Sequence, residues 1–156
     1  MPDNTFTDPG EILKMAKAIL LVDWLNPGVP AALLHAGLTV FSYSPGRYSM
    51  AELFADRPSN VENKDIFVLD NKDVKEYLVF WKQDSNPGSV DIVNTYRPAE
   101  ELAGIIYNHV LPLSAKALWL QPPVTSPWAQ SYAVEHNLAF VEGMDIAEIA
   151  RSLDSK

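Results

Sequence analysis

Ala18-Ile19-Leu20-Leu21-Val22-Asp23 is the stretch that decides the fold. Five apolar residues without polar alternation describe a strand covered on both faces, the condition of a strand inside a parallel sheet. Similar runs recur at Leu38-Thr39-Val40-Phe41, Val90-Asp91-Ile92-Val93-Asn94-Thr95, Lys116-Ala117-Leu118-Trp119-Leu120-Gln121 and Leu138-Ala139-Phe140-Val141. Helix signals separate them. Asp8-Pro9-Gly10-Glu11 can cap and open a short helix, expected to end near Lys17. Val29 to His35 reads as a brief helix with Gly37 placed to end it. Ala99 to about Val110 reads as another, stopped by Pro112. Ser126-Pro127 opens a fourth, which Asn137 is suited to close, and Asp145-Ile146-Ala147-Glu148 caps a terminal helix running to about Leu153. This alternation predicts an α/β fold: a doubly wound, mostly parallel sheet with right-handed crossovers and helices on both faces. Ligands of such sheets bind beyond the carboxyl ends of the strands, where strand order reverses.

The stretch from about 55 to 88 departs from the alternation. Residues 56–64 are polar and irregular. Asp65 to Asp70 and Val74 to Lys82 then read as an inserted β-hairpin turning at Asn71-Lys72, followed by a loop from Gln83 to Ser89. Just upstream, Ser49-Met50-Ala51-Glu52 has the capping-box pattern and is expected to start a short helical turn. No repeat or linker divides the chain, so residues 1–156 are read as one domain.

Composition narrows the function. The chain has 156 residues, 47% of them hydrophobic, with 12 Lys and Arg against 20 Asp and Glu for a formal net charge of -8. That charge repels phosphate backbones and argues against nucleic acid as partner. The absence of cysteine excludes disulfides, thiolate metal sites and a Cys nucleophile. Met1-Pro2-Asp3-Asn4-Thr5 lacks the pattern of a signal peptide, and no apolar run approaches the ~20 residues of a membrane span. A cytoplasmic protein without a membrane partner is expected. His35, His109 and His136 fall on separate helices near their C-terminal ends, without metal-ligand spacing, and no metal site is assigned. Gly-x-Ser-x-Gly, P-loop and GxGxxG patterns are missing, and no catalytic residue is assigned.

Several segments resemble the family of CoA-binding domains related to the N-terminal domain of the succinyl-CoA ligase α subunit. They are Val90-Asp91-Ile92-Val93 followed by Tyr96-Arg97-Pro98-Ala99-Glu100, then Ala117-Leu118-Trp119-Leu120-Gln121, and Ser44-Pro45-Gly46-Arg47 after the second strand. Asn26-Pro27-Gly28-Val29-Pro30 falls into register as well. The resemblance implies a Rossmann-like fold and CoA or acyl-CoA as cofactor. It implies a binding module without the ligase machinery, because ligase chemistry uses a phosphorylated His from a further domain. By the same resemblance Arg47 reaches a phosphate and the adenosine-phosphate end lies near Ser44, Pro45, Gly46 and Arg47. The pyrophosphate lies near Leu25, Asn26, Pro27 and Gly28, and pantetheine runs past Thr95, Tyr96, Arg97 and Pro98 toward Gln121 and Pro122. One departure stands out. The family has a small-residue loop such as V-G-A-S after the first strand, whereas here Val22 is followed by Asp23-Trp24-Leu25, similar to a divergent branch with a D-W start.

The same residues admit structural readings. Arg47 can be a solvated loop residue, Arg97 can pair with Glu100 or Glu101, and Tyr96 can stack on adenine or pack as core. Asp23 can cap the turn from Asp23 to Asn26, or serve as an acid, a metal ligand or a ribose-hydroxyl acceptor. Trp24 can close over the site or fill the space left by a shortened helix. Three functions follow: a CoA-binding module; a degenerate relative acting through protein contacts, as a homodimer; and an enzyme using Asp23 as acid or base.

Overall fold

The computed structural model describes residues 8–44, 46–71 and 74–154. The chain start Met1 to Thr5, Pro45 of the second loop and Lys72 of the hairpin turn lie outside the described residues. One mixed sheet of eight strands organises the rest: β1 (Ala18–Val22), β2 (Thr39–Tyr43), β3 (Tyr48–Phe54), β4 (Ile66–Asn71), β5 (Val74–Gln83), β6 (Ile92–Thr95), β7 (Ala117–Leu120) and β8 (Ala139–Glu142). Their order across the sheet is β4-β5-β3-β2-β1-β6-β7-β8. β2, β1, β6, β7 and β8 run parallel, while β3, β5 and β4 extend the β2 edge in antiparallel pairing. The fold is thus an α/β, Rossmann-like one, and the hairpin read from the sequence extends the sheet through β3.

Helices cover both faces. On one lie α1 (Pro9–Met15), α2 (Gly28–His35) and α5 (Ile146–Asp154), packed with Ile19, Leu21, Ile92 and Trp119. On the other lie α3 (Leu102–Ile105), which continues as a wider-wound turn over Ile106–Val110, and α4 (Pro127–Glu135), packed with Leu20, Val22, Val93 and Leu118. Neighbouring strand residues face opposite layers, which is why β1 must be apolar at every position. Asp8 Oδ1 accepts from Gly10 N–H at 3.0 Å, Ser126 Oγ from Ala129 N–H at 3.0 Å and Asp145 Oδ1 from Ala147 N–H at 2.9 Å. Local side chains therefore start α1, α4 and α5. α1 ends at Met15, two residues before the expected limit, and Glu11 pairs with Lys14 rather than closing a box. No helix of the described residues is long and apolar enough to cross a membrane.

One expectation is overturned. Ser49 to Glu52 forms no helical turn but the middle of β3, seven residues long, paired with β5 along its length and with β2 from Tyr48 to Met50. Its alternation places Ser49 and Ala51 inward while Met50 and Glu52 are more exposed. Pairing with β2 and β5 outweighs the local capping signal, because each ladder satisfies backbone groups that a single helical turn leaves open.

Asp91, within the Val-Asp-Ile-Val run, has a structural job. Its Oδ2 accepts from the backbone N–H groups of Lys17 at 2.7 Å and Ala18 at 3.0 Å, fixing the start of β1 to the start of β6. Asp91→Ala should lower unfolding stability by about 1–3 kcal/mol, with Asp91→Asn recovering most of it through its amide oxygen. Urea denaturation checks this; an Ala variant as stable as the parent would contradict the assignment.

Candidate functional site

β1 lies between β2 and β6, so the order of the parallel strands reverses at its carboxyl end. There Val22 gives way to Asp23, whose φ is 70°, in the left-handed region that costs most side chains energy and that Asp and Asn tolerate. Asp23 Oδ1 accepts from the Trp24 N–H at 3.0 Å. Its Oδ2 accepts from Arg97 Nη1 at 3.0 Å, across from the end of β6. The same guanidinium donates through Nε and Nη2 to Glu101 Oε1 and Oε2 at 2.9 and 2.7 Å. Glu101 first, and then Asp23, raise the Arg97 guanidinium above its ordinary range, and the Arg97 hydrogen bond holds Glu101 below the usual carboxylate range.

A cavity of about 710 Å³ opens beside this triad on the α3 face. Asp23, Glu100, Glu101 and Arg97 line its polar side, and Tyr43, Ile105 and His109 its inner side. Three carboxylates against one guanidinium make it rich in acceptors: it suits hydroxyl and amide donors better than a phosphate. His109 is buried, its ring 4.4 Å from that of Tyr43, and its Nδ1 shares a 2.7 Å hydrogen bond with the Tyr48 hydroxyl. Burial pushes the His109 imidazole down and, with Tyr43 nearby, the Tyr48 phenol up. Both groups are therefore neutral near pH 7.

The residues singled out from the sequence divide. Asp23, Ser44 and Arg97 line this cavity. Trp24, Ser44 and Arg47 line a second one, on the opposite face. There Trp24 stacks on Phe80 (5.4 Å, 7°) and meets Phe67 edge-on (5.4 Å, 85°), and Arg47 pairs with Asp65 Oδ1 at 2.9 Å. Gly46, at φ 77°, makes the turn between β2 and β3. Leu25 is exposed. Asn26 Oδ1 accepts from the Gly28 N–H at 2.9 Å, and Pro27 precedes the first turn of α2. A Cβ on Gly28 would lie 2.9 Å from Asn26 Oδ1 and 3.5 Å from Arg151 Nη2, so the α5 guanidinium stands beside the amino end of α2. Thr95 is buried, its Oγ1 without a hydrogen-bond partner among the described residues, Tyr96 is half-buried with its N–H on Val22 O, and Pro98 is exposed. Gln121 is buried, accepting from Asn94 Nδ2 (3.2 Å) and the Ile146 N–H (2.8 Å) and donating to Asp145 Oδ1 (3.1 Å). It ties β7 to α5; neither Gln121 nor Pro122 lines either cavity. Sequence reading missed Tyr43, Tyr48 and His109, which chain distance hides, and Arg151, which no motif in the sequence marks. No group of three or more His, Asp or Glu among the described residues is placed to hold a metal.

Residues 27–146 match the family model described as CoA binding domain. No curated protein matches the chain. Among solved structures it resembles Prb, a protein redesigned for binding (TM-score 0.64, 18% identity, 99% of this chain and 97% of that one covered). It also resembles a protein of Thermus thermophilus (0.59, 17%, 94% and 99%) and a hypothetical protein from Pyrococcus horikoshii OT3 (0.54, 17%, 97% and 99%). At these identities the likeness is one of fold.

Two outcomes test the geometry. Asp23→Ala loses the ion pair and forces a Cβ into the left-handed region without the Asx compensation, whereas Asp23→Gly loses only the ion pair and the cap. The Gly variant should be more stable than the Ala variant by about 1 kcal/mol in urea denaturation, and the reverse order would contradict the strain. His109, whose folded-state imidazole lies below its unfolded value, contributes stability in full above the ordinary imidazole range near 6.5 and loses it as pH falls further. The decline in thermal midpoint between about pH 7 and 5 should be shallower in His109→Gln; an unchanged slope would show that another group drives it.

Proposed function

The chain belongs to the CoA binding domain family, and on that premise we propose that it is a small-molecule binding module for CoA or acyl-CoA, acting without ligase chemistry. The observation that carries this reading is the open cavity of about 710 Å³ beyond the carboxyl ends of β1 and β6, at the reversal of strand order. Its excess of carboxylates suits the hydroxyl and amide donors of ribose or pantetheine. The pyrophosphate belongs outside it, at the Asn26-Pro27-Gly28 turn, where α2 begins and Arg151 stands close. Asp23 does not present a bare charge to the ligand, since Arg97 pairs with it while also holding Glu101. The ligand's adenosine-phosphate end reaches the loop from Ser44 to Arg47. On this reading the protein works in the cytoplasm on a small molecule, and its charge of -8 turns nucleic acid away.

A second reading, a relative that acts through protein contacts as a homodimer, draws on one feature. β4 is an edge strand, and Val68 and Val74 of its hairpin are exposed.

The thermal midpoint with and without millimolar CoA separates the two, with ATP and NAD as controls. CoA at about 100 times its dissociation constant should stabilise by ~2.7 kcal/mol and raise the midpoint by several degrees. Gly104 lines the cavity from α3, with room for a Cβ 3.9 Å from Asn108 Nδ2. Gly104→Leu should fill the cavity, fold normally and abolish the response. No rise with any ligand, together with a size in solution that grows with concentration, would favour the homodimer.

A further inference from the structure

From Leu102 to Val134 the chain carries one charged side chain, Lys116, although 21% of its residues are charged; all 20 Asp and Glu lie outside that segment. The segment supplies α3, its wider-wound continuation and α4, whose inner sides share one core on the same sheet face. Lys116 stands at the amino end of β7, off both helices. The outer side of the helices carries large apolar residues instead of charge. Tyr107 (60% exposed) and Leu111 (49%), one turn apart, stand on the first, and Trp128 (49%) and Val134 (68%) on the second. Ala103 and Ser131 beside them are exposed as well. Trp128 is held in place. Its ring lies 5.7 Å from that of Tyr132, which stacks on His136 at 3.9 Å and 15°, and His136 Nδ1 donates to Tyr132 O at 2.8 Å. An exposed aromatic already ordered loses little freedom when it is covered. Carboxylates stand at the ends of the face, Glu100 and Glu101 before α3 and Glu135 at the close of α4. An apolar, aromatic centre with charge at the rim is the composition of a protein interface.

We propose that the outer face of α3 and α4 is the interface of a homodimer, two copies of this chain meeting about a twofold axis. Charge selects a second copy as the occupant. Copies meeting through the remaining surface bring net negative charge against net negative charge, because every carboxylate of this chain of charge -8 lies outside the segment. On the α3–α4 face an uncharged patch meets its own image, and no like charges are opposed. A partner recognised by charge finds nothing at its centre to pair with. In an isologous contact Trp128 of each copy packs against Tyr107 and Leu111 of the other, so both helices are covered at once. This interface is separate from the β4 edge, which lies at the other end of the strand order from β7 and β8, and it does not rest on the CoA assignment.

Sedimentation velocity of the whole chain, from micromolar to near-millimolar concentration, tests the interface. The chain should pass from monomer to dimer, and added salt should favour the dimer, because screening weakens only the repulsion. Trp128→Glu and Leu111→Glu should each raise the dissociation constant at least about tenfold. Neither should move the thermal midpoint of dilute, monomeric protein, because both side chains are exposed. Val68→Lys on β4 should leave dimerisation as it is. Ser131→Cys puts a single thiol on the face of a chain that has no cysteine, and its reaction with a maleimide should slow as the dimer forms. A monomer at every concentration, a dimer indifferent to both helix variants, a dimer lost on Val68→Lys, or a thiol whose reactivity ignores concentration would each overturn the proposal.

Discussion

The Asp23–Arg97 ion pair, 3.0 Å long, is the constraint on which the rest of the carboxyl edge depends. It joins the residue after β1 to the loop after β6, at the point where the parallel strands change direction of succession. The pair fixes where the chain turns, and the left-handed backbone at Asp23 fixes how. That conformation is one glycine adopts freely, so an aspartate here holds the turn and adds a charge to it. Arg97 then answers the charge and hands the remainder to Glu101, whose side chain it grips with two parallel hydrogen bonds.

Consequences run in both directions from that turn. Toward α3, the triad becomes the acidic lip of the larger cavity, with the half-buried Tyr43 and the buried His109 behind it and Tyr48 bonded to His109. Toward the hairpin, the turn throws Trp24 against Phe67 and Phe80, so the insertion is packed onto the first loop and continues the sheet. Ser44 borders both cavities, and the β2–β3 turn is the partition between them. One edge therefore carries an acceptor-rich pocket on one face and a donor-rich pocket on the other.

The alternation of central strands and helices was legible because β1, β6 and β7 are covered on both faces and read as continuous apolar runs, and because Asp8, Ser126 and Asp145 cap their helices from adjacent positions. The hairpin was legible from its turn and its aromatics. Ser49 to Glu52 misled because a capping box is a local signal, while the strand that replaced it is decided by β2 and β5, the latter some thirty residues further along. The alternation of Ser49, Ala51 and Leu53 with Met50, Glu52 and Phe54 carried the correct period. The site was legible only in part. Asp23 and Arg97 stand out singly, but their pairing spans 74 residues, and that of Tyr48 with His109 spans 61. Trp24 and Arg47 also stand out singly, though the face they occupy depends on the insertion. Gln121 belongs to a matching strand yet is spent on joining β7 to α5.

The most direct test of the account is an amide chemical-shift titration of the labelled protein with CoA. The account predicts that the largest changes fall on residues 22–28, 44–47 and 97–109, the segments around the carboxyl ends of β1, β2 and β6. Unchanged spectra at millimolar CoA, or changes confined to the opposite end of the sheet around Ile12, Met15 and Leu138, would contradict it.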